Sequence, residues 1–301
     1  MNDFTWTGRT DGPGPEHDRW HSVITSGGEV PEGAVALLGF ASDEGVRRNH
    51  GRVGAAAGPD TIREQLAGLA VHDDVPRHDL GTIVSGADLE AGQEELAQVV
   101  ERALGPAGTV VVMGGGHETS YGSHLGLHRW AAPNERIAIV NLDAHFDLRR
   151  AEQATSGTPF LQISELERPF DYSVWGISWP NNTTALLDTA DRLGVHYYSD
   201  EELVRAGFDT ATEKLQALVA EADHIHLSID LDVLPAATAP GVSAPAAFGV
   251  SFAMVQALVD AALGTGKVRL VDVVELNPHY DIDGRTAKVA ARLIDDVATA
   301  D

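Results

Sequence analysis

Residues 89–118 read LEAGQEELAQVVERALGPAGTVVVMGGGHE, a helical stretch at 89–105 followed by the short β-branched run TVVVM at 109–113. Gly105-Pro106 separates the two, and three glycines follow the strand before His117 and Glu118. The same alternation extends outward in both directions. Upstream lie GAVALLGFA (33–41), the helical PDTIREQLAGLA (59–70) and VPRHDL (75–80). Downstream lie the apolar runs RIAIVNL (136–142), YSVWGI (172–177), GVHYY (194–198), HIHLSIDL (224–231) and VRLVDVVEL (268–276), with helical TATEKLQALVAEA (210–222) and SFAMVQALVDAALG (251–264) among them. Eight candidate strands interleaved with helices predict an α/β fold, a three-layer doubly wound sheet of about eight mainly parallel strands with helices on both faces. In such a sheet the ligand site lies beyond the carboxyl ends of the strands. Residues 1–32, rich in Gly, Pro and charge, are expected to form an extended or mobile arm, and 33–301 a single domain.

Composition narrows the function. With 43% apolar and 22% charged residues the 301-residue chain can bury a sizeable core, and it reads as globular rather than disordered. No apolar run approaches the roughly 20 residues of a membrane span, and the N-terminus lacks the features of a secretion signal, so a cytoplasmic protein without a membrane partner is expected. Cysteine is absent, which excludes disulfides, thiolate–zinc sites and cysteine nucleophiles. Any metal must be held by oxygen and imidazole. The net charge of −24 has the wrong sign for a nucleic-acid footprint. Most of that acidity suits a solvated surface, but some aspartates sit where solvation does not account for them.

Three of the strands end in clustered His and Asp. TVVVM leads through Gly114-Gly115-Gly116 to His117, the glycines permitting a tight turn that a side chain would block. RIAIVNL runs into Asp143-Ala144-His145-Phe146-Asp147, whose polar residues share one face while extended. In HIHLSIDLDVLP, His226, Ser228, Asp230 and Asp232 alternate with apolar residues. Four aspartates in one cleft repel and lose solvation, and a pair of divalent cations cancels that charge. Adding the imidazoles of His117 and His145 gives a mixed N/O donor set suited to Mn²⁺ or a similar hard-to-borderline divalent ion. His226 fits a hydrogen-bonded core role better than that of a seventh ligand.

GGGHE, NLDAHFDLR, SIDLDVLP followed by APGVSAP, and VVELNP resemble the arginase and agmatinase superfamily, the ureohydrolases. The likeness is collinear from residue 45 to residue 294. DAHFDLR, SGTPFLQ (156–162) and RNHGRVGAAAGP upstream are similar to the formimidoylglutamase branch, which cleaves N-formimidoyl-L-glutamate to L-glutamate and formamide in histidine degradation. The resemblance implies an arginase-like fold and a hydrolase acting on linear amidines by attack of a hydroxide bridging two Mn²⁺ per chain. His117, Asp143, Asp147 and Asp230 would bind one manganese; Asp143, His145, Asp230 and Asp232 the other. Asp147 would orient the hydroxide and pass its proton to the departing amine, and Glu275 would pair with the planar cationic carbon–nitrogen group.

Where arginases carry a His in the segment matching 156–160, this chain has Phe160, and where agmatinases commonly carry one before the Gly it has Ser156. Arg149 stands where arginases usually place an Asn near the substrate carboxylate, and a guanidinium fork suits a dicarboxylate. Arg150 beside it could play either part. Arg149, Ser156 and Thr158, with Asn49 and Arg52 from the earlier loop, are therefore expected to hold the substrate. The alternatives are an agmatinase-like or other guanidino-acid ureohydrolase releasing urea, and a catalytically idle metabolite-binding protein. A small-molecule substrate and a homo-oligomer are expected.

Overall fold

The computed structural model describes residues 1–300. Nine strands, β1 (Thr25–Ser26), β2 (Val35–Ala41), β3 (Arg77–Val84), β4 (Thr109–Gly114), β5 (Ile137–Leu142), β6 (Asp171–Ile177), β7 (His196–Ser199), β8 (His224–Asp230) and β9 (Val268–Val274), form one sheet in the order β1-β3-β2-β4-β9-β8-β5-β6-β7. Every neighbouring pair is parallel. Central strands such as β5 are buried along their whole length, as a sheet covered on both faces requires. In β4 the alternation is visible: Val111 and Met113 pack on one side with Ile62 and Leu66 of helix 58–66 and with helices 252–263 and 285–298. Val110 and Val112 pack on the other with helices 89–103 and 119–130.

β4 and β5 are consecutive in sequence but lie on opposite sides of β9 and β8, which enter the gap later. That gap is the topological switch point, where crossing helices leave a crevice above the carboxyl ends. Register then sets the site. Met113 pairs with Val273, Asp230 with Val274 and Leu142 with Ile229, so the residues following β4, β9, β8 and β5 emerge side by side.

The amino-terminal segment, expected as an extended or mobile arm, is tied to the domain at several points. Asn2 exchanges backbone hydrogen bonds with Thr82 on β3, both at 2.8 Å, Trp6 Nε1 donates to Asp79 Oδ2 at 2.8 Å, and Trp20 is buried with its Nε1 donating to Asp295 Oδ1 at 2.7 Å. Residues 25–26 supply the ninth strand, too short for a periodicity to reveal it. This segment covers an edge of the sheet that would otherwise leave backbone groups unpaired. Helix Asp200–Leu218 also begins ten residues before the stretch expected from the sequence, with a Ser199/Glu202 capping box at its start and a break at Gly207 (φ 75°). Among the described residues no helix is long and apolar enough to cross a membrane.

Candidate metal centre and active site

Gly115 shows why the turn after β4 is built of glycine: an added Cβ would lie 1.6 Å from the carbonyl oxygen of Ser42. Space, not backbone freedom, is what it needs. Its carbonyl accepts the N–H of Glu275 at 2.8 Å, and Glu275 Oε1 accepts the N–H of His117 at 2.9 Å, which ties the ends of β4 and β9 together. His117 then points Nδ1 at Asp143 Oδ2 (3.2 Å), Asp147 Oδ2 (3.0 Å) and Asp230 Oδ2 (3.1 Å). Its Nε2 lies 3.0 Å from Ser228 Oγ; donating there leaves the Nδ1 lone pair free. On the other side, His145 Nδ1 lies 3.5 Å from Asp143 Oδ1 and 3.0 Å from Asp232 Oδ2. The donors thus fall into two groups, His117–Asp143–Asp230 and Asp143–His145–Asp232, with Asp143 common to both.

These residues fit a cation. His117 Nδ1 is buried and makes no hydrogen bond, although three carboxylate oxygens surround it. One proton cannot serve three acceptors, whereas an ion draws on all four atoms. Without one the charges are strained. Burial and the neighbouring Asp232 and Asp143 push Asp230 well above the usual carboxylate range, and burial raises Asp147 and Asp232. Burial works against ionised Asp143 too, but the adjacent imidazoles of His117 and His145 hold its carboxyl low. The same carboxylates overcome burial to raise both imidazoles well above their ordinary value. Asp147 and Glu275 also adopt left-handed backbone conformations, φ 49° and 70°, which non-glycine residues seldom hold unless their surroundings impose it.

A cavity of about 210 Å³ opens over this cluster. His117, His145, Asp147, Asp230, Asp232, Glu275, Arg149, Ser156 and Asn49 line it, so the structure brings together most of the residues expected from the sequence. Asn49 Nδ2 donates to Ser156 Oγ at 3.1 Å, joining two walls. Buried Asp143 lies beneath. Thr158 and Arg52 are not brought in. The Thr158 hydroxyl closes its own turn, donating toward Thr155 O and Gln162 Oε1 and accepting from Thr155 N. The Arg52 guanidinium donates to the carbonyls of Val242 and Ser243 and stacks on Tyr280, 4.1 Å from the ring centroid. Both hold loop conformation, and neither lines the cavity. His226 is a core residue: Nε2 contacts Asp272 Oδ2 at 2.7 Å and Nδ1 faces His124 at 3.1 Å.

Sequence reasoning missed Gly51, Leu186, Ser243 and Ala244 in the lining, although Ser243 and Ala244 belong to the APGVSAP stretch. It also passed over the role of Glu118. That side chain is buried, accepts from Ser42 Oγ (2.8 Å) and Gly45 N (3.0 Å), and leaves Oε2 unpaired. Burial, only partly offset by the Ser42 hydrogen bond, raises it to about 7. Glu275 Oε2 is unpaired as well, and burial followed by the charge of Glu118 raises its carboxyl to about 8. Phe160 is buried edge-on to His117, with ring centroids 5.3 Å apart, and places no proton carrier there.

A model of the arginase family matches residues 33–299. The chain belongs to the arginase family. Within that family it is 52% identical over 300 residues to a formimidoylglutamase of Nocardia farcinica, covering 98% of this chain and 96% of that one. It is 49% identical over 300 residues to a formimidoylglutamase of Corynebacterium efficiens, with 98% and 95% covered. Among solved structures, a Trypanosoma cruzi formiminoglutamase with Mn²⁺ superimposes with a TM-score of 0.81 at 25% identity, covering 89% of this chain and 93% of that one. The likeness to arginases, and to the formimidoylglutamase branch in particular, holds at the level of whole chains, and the fold is arginase-like.

Proposed function

We propose that this arginase-family hydrolase cleaves N-formimidoyl-L-glutamate to L-glutamate and formamide at a two-manganese centre. The observation that carries the metal part is Asp143, whose Oδ2 faces His117 and whose Oδ1 faces His145, one carboxylate serving two donor groups. Two Mn²⁺, one held by His117, Asp143, Asp147 and Asp230 and the other by Asp143, His145, Asp230 and Asp232, would supply a hydroxide near neutral pH by acidifying a shared water. Asp147 lines the cavity beside His117, placed to orient that nucleophile and to carry its proton to the departing glutamate nitrogen. Glu275 turns its free Oε2 to the amidine and balances the charge that grows on it. Arg149 pairs with a glutamyl carboxylate, with Ser156 and Asn49 completing the polar wall.

Water is added at the formimidoyl carbon and the bond from that carbon to the glutamate nitrogen breaks. Arg149 favours an acidic substrate over agmatine, which has no carboxylate. Incubating Mn²⁺-loaded protein with formimidoylglutamate, agmatine, arginine and guanidinobutyrate tests this. Formamide from the first, with little urea from the rest, is the expected result. Faster turnover of a guanidino compound overturns it.

A further inference from the structure

A second basin adjoins the catalytic cavity and shares Asn49, Arg149 and Leu186 with it. It encloses about 460 Å³, and its other lining residues include Arg48, His50, Arg150 and Arg192 but no carboxylate. Arg48 is neutralised, bonded to Glu44 and Glu90. Among the described residues, Arg149, Arg150 and Arg192 have no carboxylate within ion-pair distance. Of the nearest acids in sequence, Asp147 lines the catalytic cavity and Glu152, Asp188 and Asp191 stand outside both linings; Asp191 accepts instead from the Tyr197 hydroxyl at 3.0 Å. Three free guanidinium groups around one concavity are conspicuous in a chain of net charge −24.

That contrast has a physical consequence. A strongly acidic protein repels an anion at long range, whereas a concave wall of one sign focuses the field locally and concentrates the opposite ion. Resting on the functional reading above, we propose that this basin is an entrance vestibule for dicarboxylates, in which Arg150 and Arg192 capture the carboxylates of the net-anionic substrate and pass it to Arg149 at the common wall. Arg150 and Arg192 stay outside the catalytic cavity and touch none of its reacting groups.

The sign of the salt dependence tests it. If the overall charge governs encounter, kcat/KM for formimidoylglutamate rises with added NaCl as repulsion is screened; if the vestibule governs, it falls. We expect a several-fold fall between low and about 0.3 M salt, where the Debye length is already below the roughly 8 Å reached at physiological ionic strength. Arg150→Gln/Arg192→Gln should lower kcat/KM about three- to tenfold at low salt, mainly through KM, and flatten or invert the slope, with melting temperature and kcat little changed. Wild-type kcat/KM that rises with salt, or a double variant that keeps the wild-type slope, overturns the vestibule while leaving the substrate assignment intact. Absence of formamide at every salt concentration overturns both.

Discussion

Glu275 accepts the backbone N–H of His117 through Oε1 at 2.9 Å, so an acid that lines the cavity and an imidazole of the candidate metal centre are fixed to one another across the ends of β9 and β4. Oε2 stays buried and unpaired. In Glu275→Gln the amide oxygen can still accept from His117 while the negative charge is gone. Metal content should therefore stay at the wild-type level, and kcat/KM should fall by about 100-fold or more, the scale for losing one positioned electrostatic contact to the transition state. Metal analysis alongside steady-state kinetics checks the two halves separately, and loss of metal would assign Glu275 to holding the centre together.

Asp143 and Asp232 are not equivalent. Asp143 belongs to both donor groups and Asp232 to one. Wild-type protein is expected to hold about two Mn²⁺, Asp232→Ala about one, and Asp143→Ala neither tightly. Elemental analysis after dialysis counts the ions. Equal stoichiometry in the two variants would contradict a shared carboxylate.

Removing the metal should make stability fall as pH rises. Glu118 and Glu275 have carboxyls raised from 4.5 to about 7 and about 8, so the fold favours their neutral forms. Their contribution is full below the unfolded value and is lost as pH climbs through the folded one, every tenfold gain in proton affinity on folding being worth about 1.4 kcal/mol. His117 and His145, raised well above 6.5 by the surrounding aspartates against burial, work in the same direction. Asp143, held low, loses its contribution only on acidification below the ordinary carboxylate range, outside this window. The melting temperature of chelator-treated protein should drop between pH 5 and pH 8.5, and the Mn²⁺-loaded form should be higher and flatter across it. A chelated protein whose melting temperature holds or rises over that range would show that the carboxylates do not repel as their burial implies.

The site was legible to the extent that strand ends are. Asp143 follows an apolar run directly, Asp230 closes one and His117 comes three glycines after one, and once the runs are parallel strands their ends share one crevice. That Arg52 and Thr158 stand outside the cavity lining was not legible, because a polar residue in a site-forming loop has the same signature whether it faces the cavity or ties the loop down, as these two do. Glu118 was overlooked for the opposite reason: its partners, Ser42 and Gly45, are over 70 residues away in sequence, and no local pattern announces them. β1 escaped because two residues carry no period. For Arg52, Glu118 and β1, what the periodicity could not supply was a long-range partner.

In the proposed function Arg149 decides the substrate. Its guanidinium is exposed while lining the catalytic cavity, and its side chain packs over Gly157, where an added Cβ would meet Arg149 Cδ at 2.7 Å. A carboxylate bound there remains partly hydrated, so truncation should cost about 2 kcal/mol, the low end for removing one partner of an interfacial charge pair. That converts to roughly a 30-fold loss at 1.4 kcal/mol per tenfold. Arg149→Leu should raise KM with kcat nearly preserved if the grip is the same in ground and transition states, and bound Mn²⁺ should not change. Arg149→Lys should recover only part, because an ammonium restores charge but not the two-pronged geometry. Gly157→Ala is the complementary probe: its methyl group displaces the Arg149 stem without altering charge, and it should raise KM less than the leucine variant does. If Arg149→Leu leaves kcat/KM unchanged, the glutamyl carboxylate is held elsewhere, and the preference for an acidic substrate loses its structural basis even with the metal centre intact.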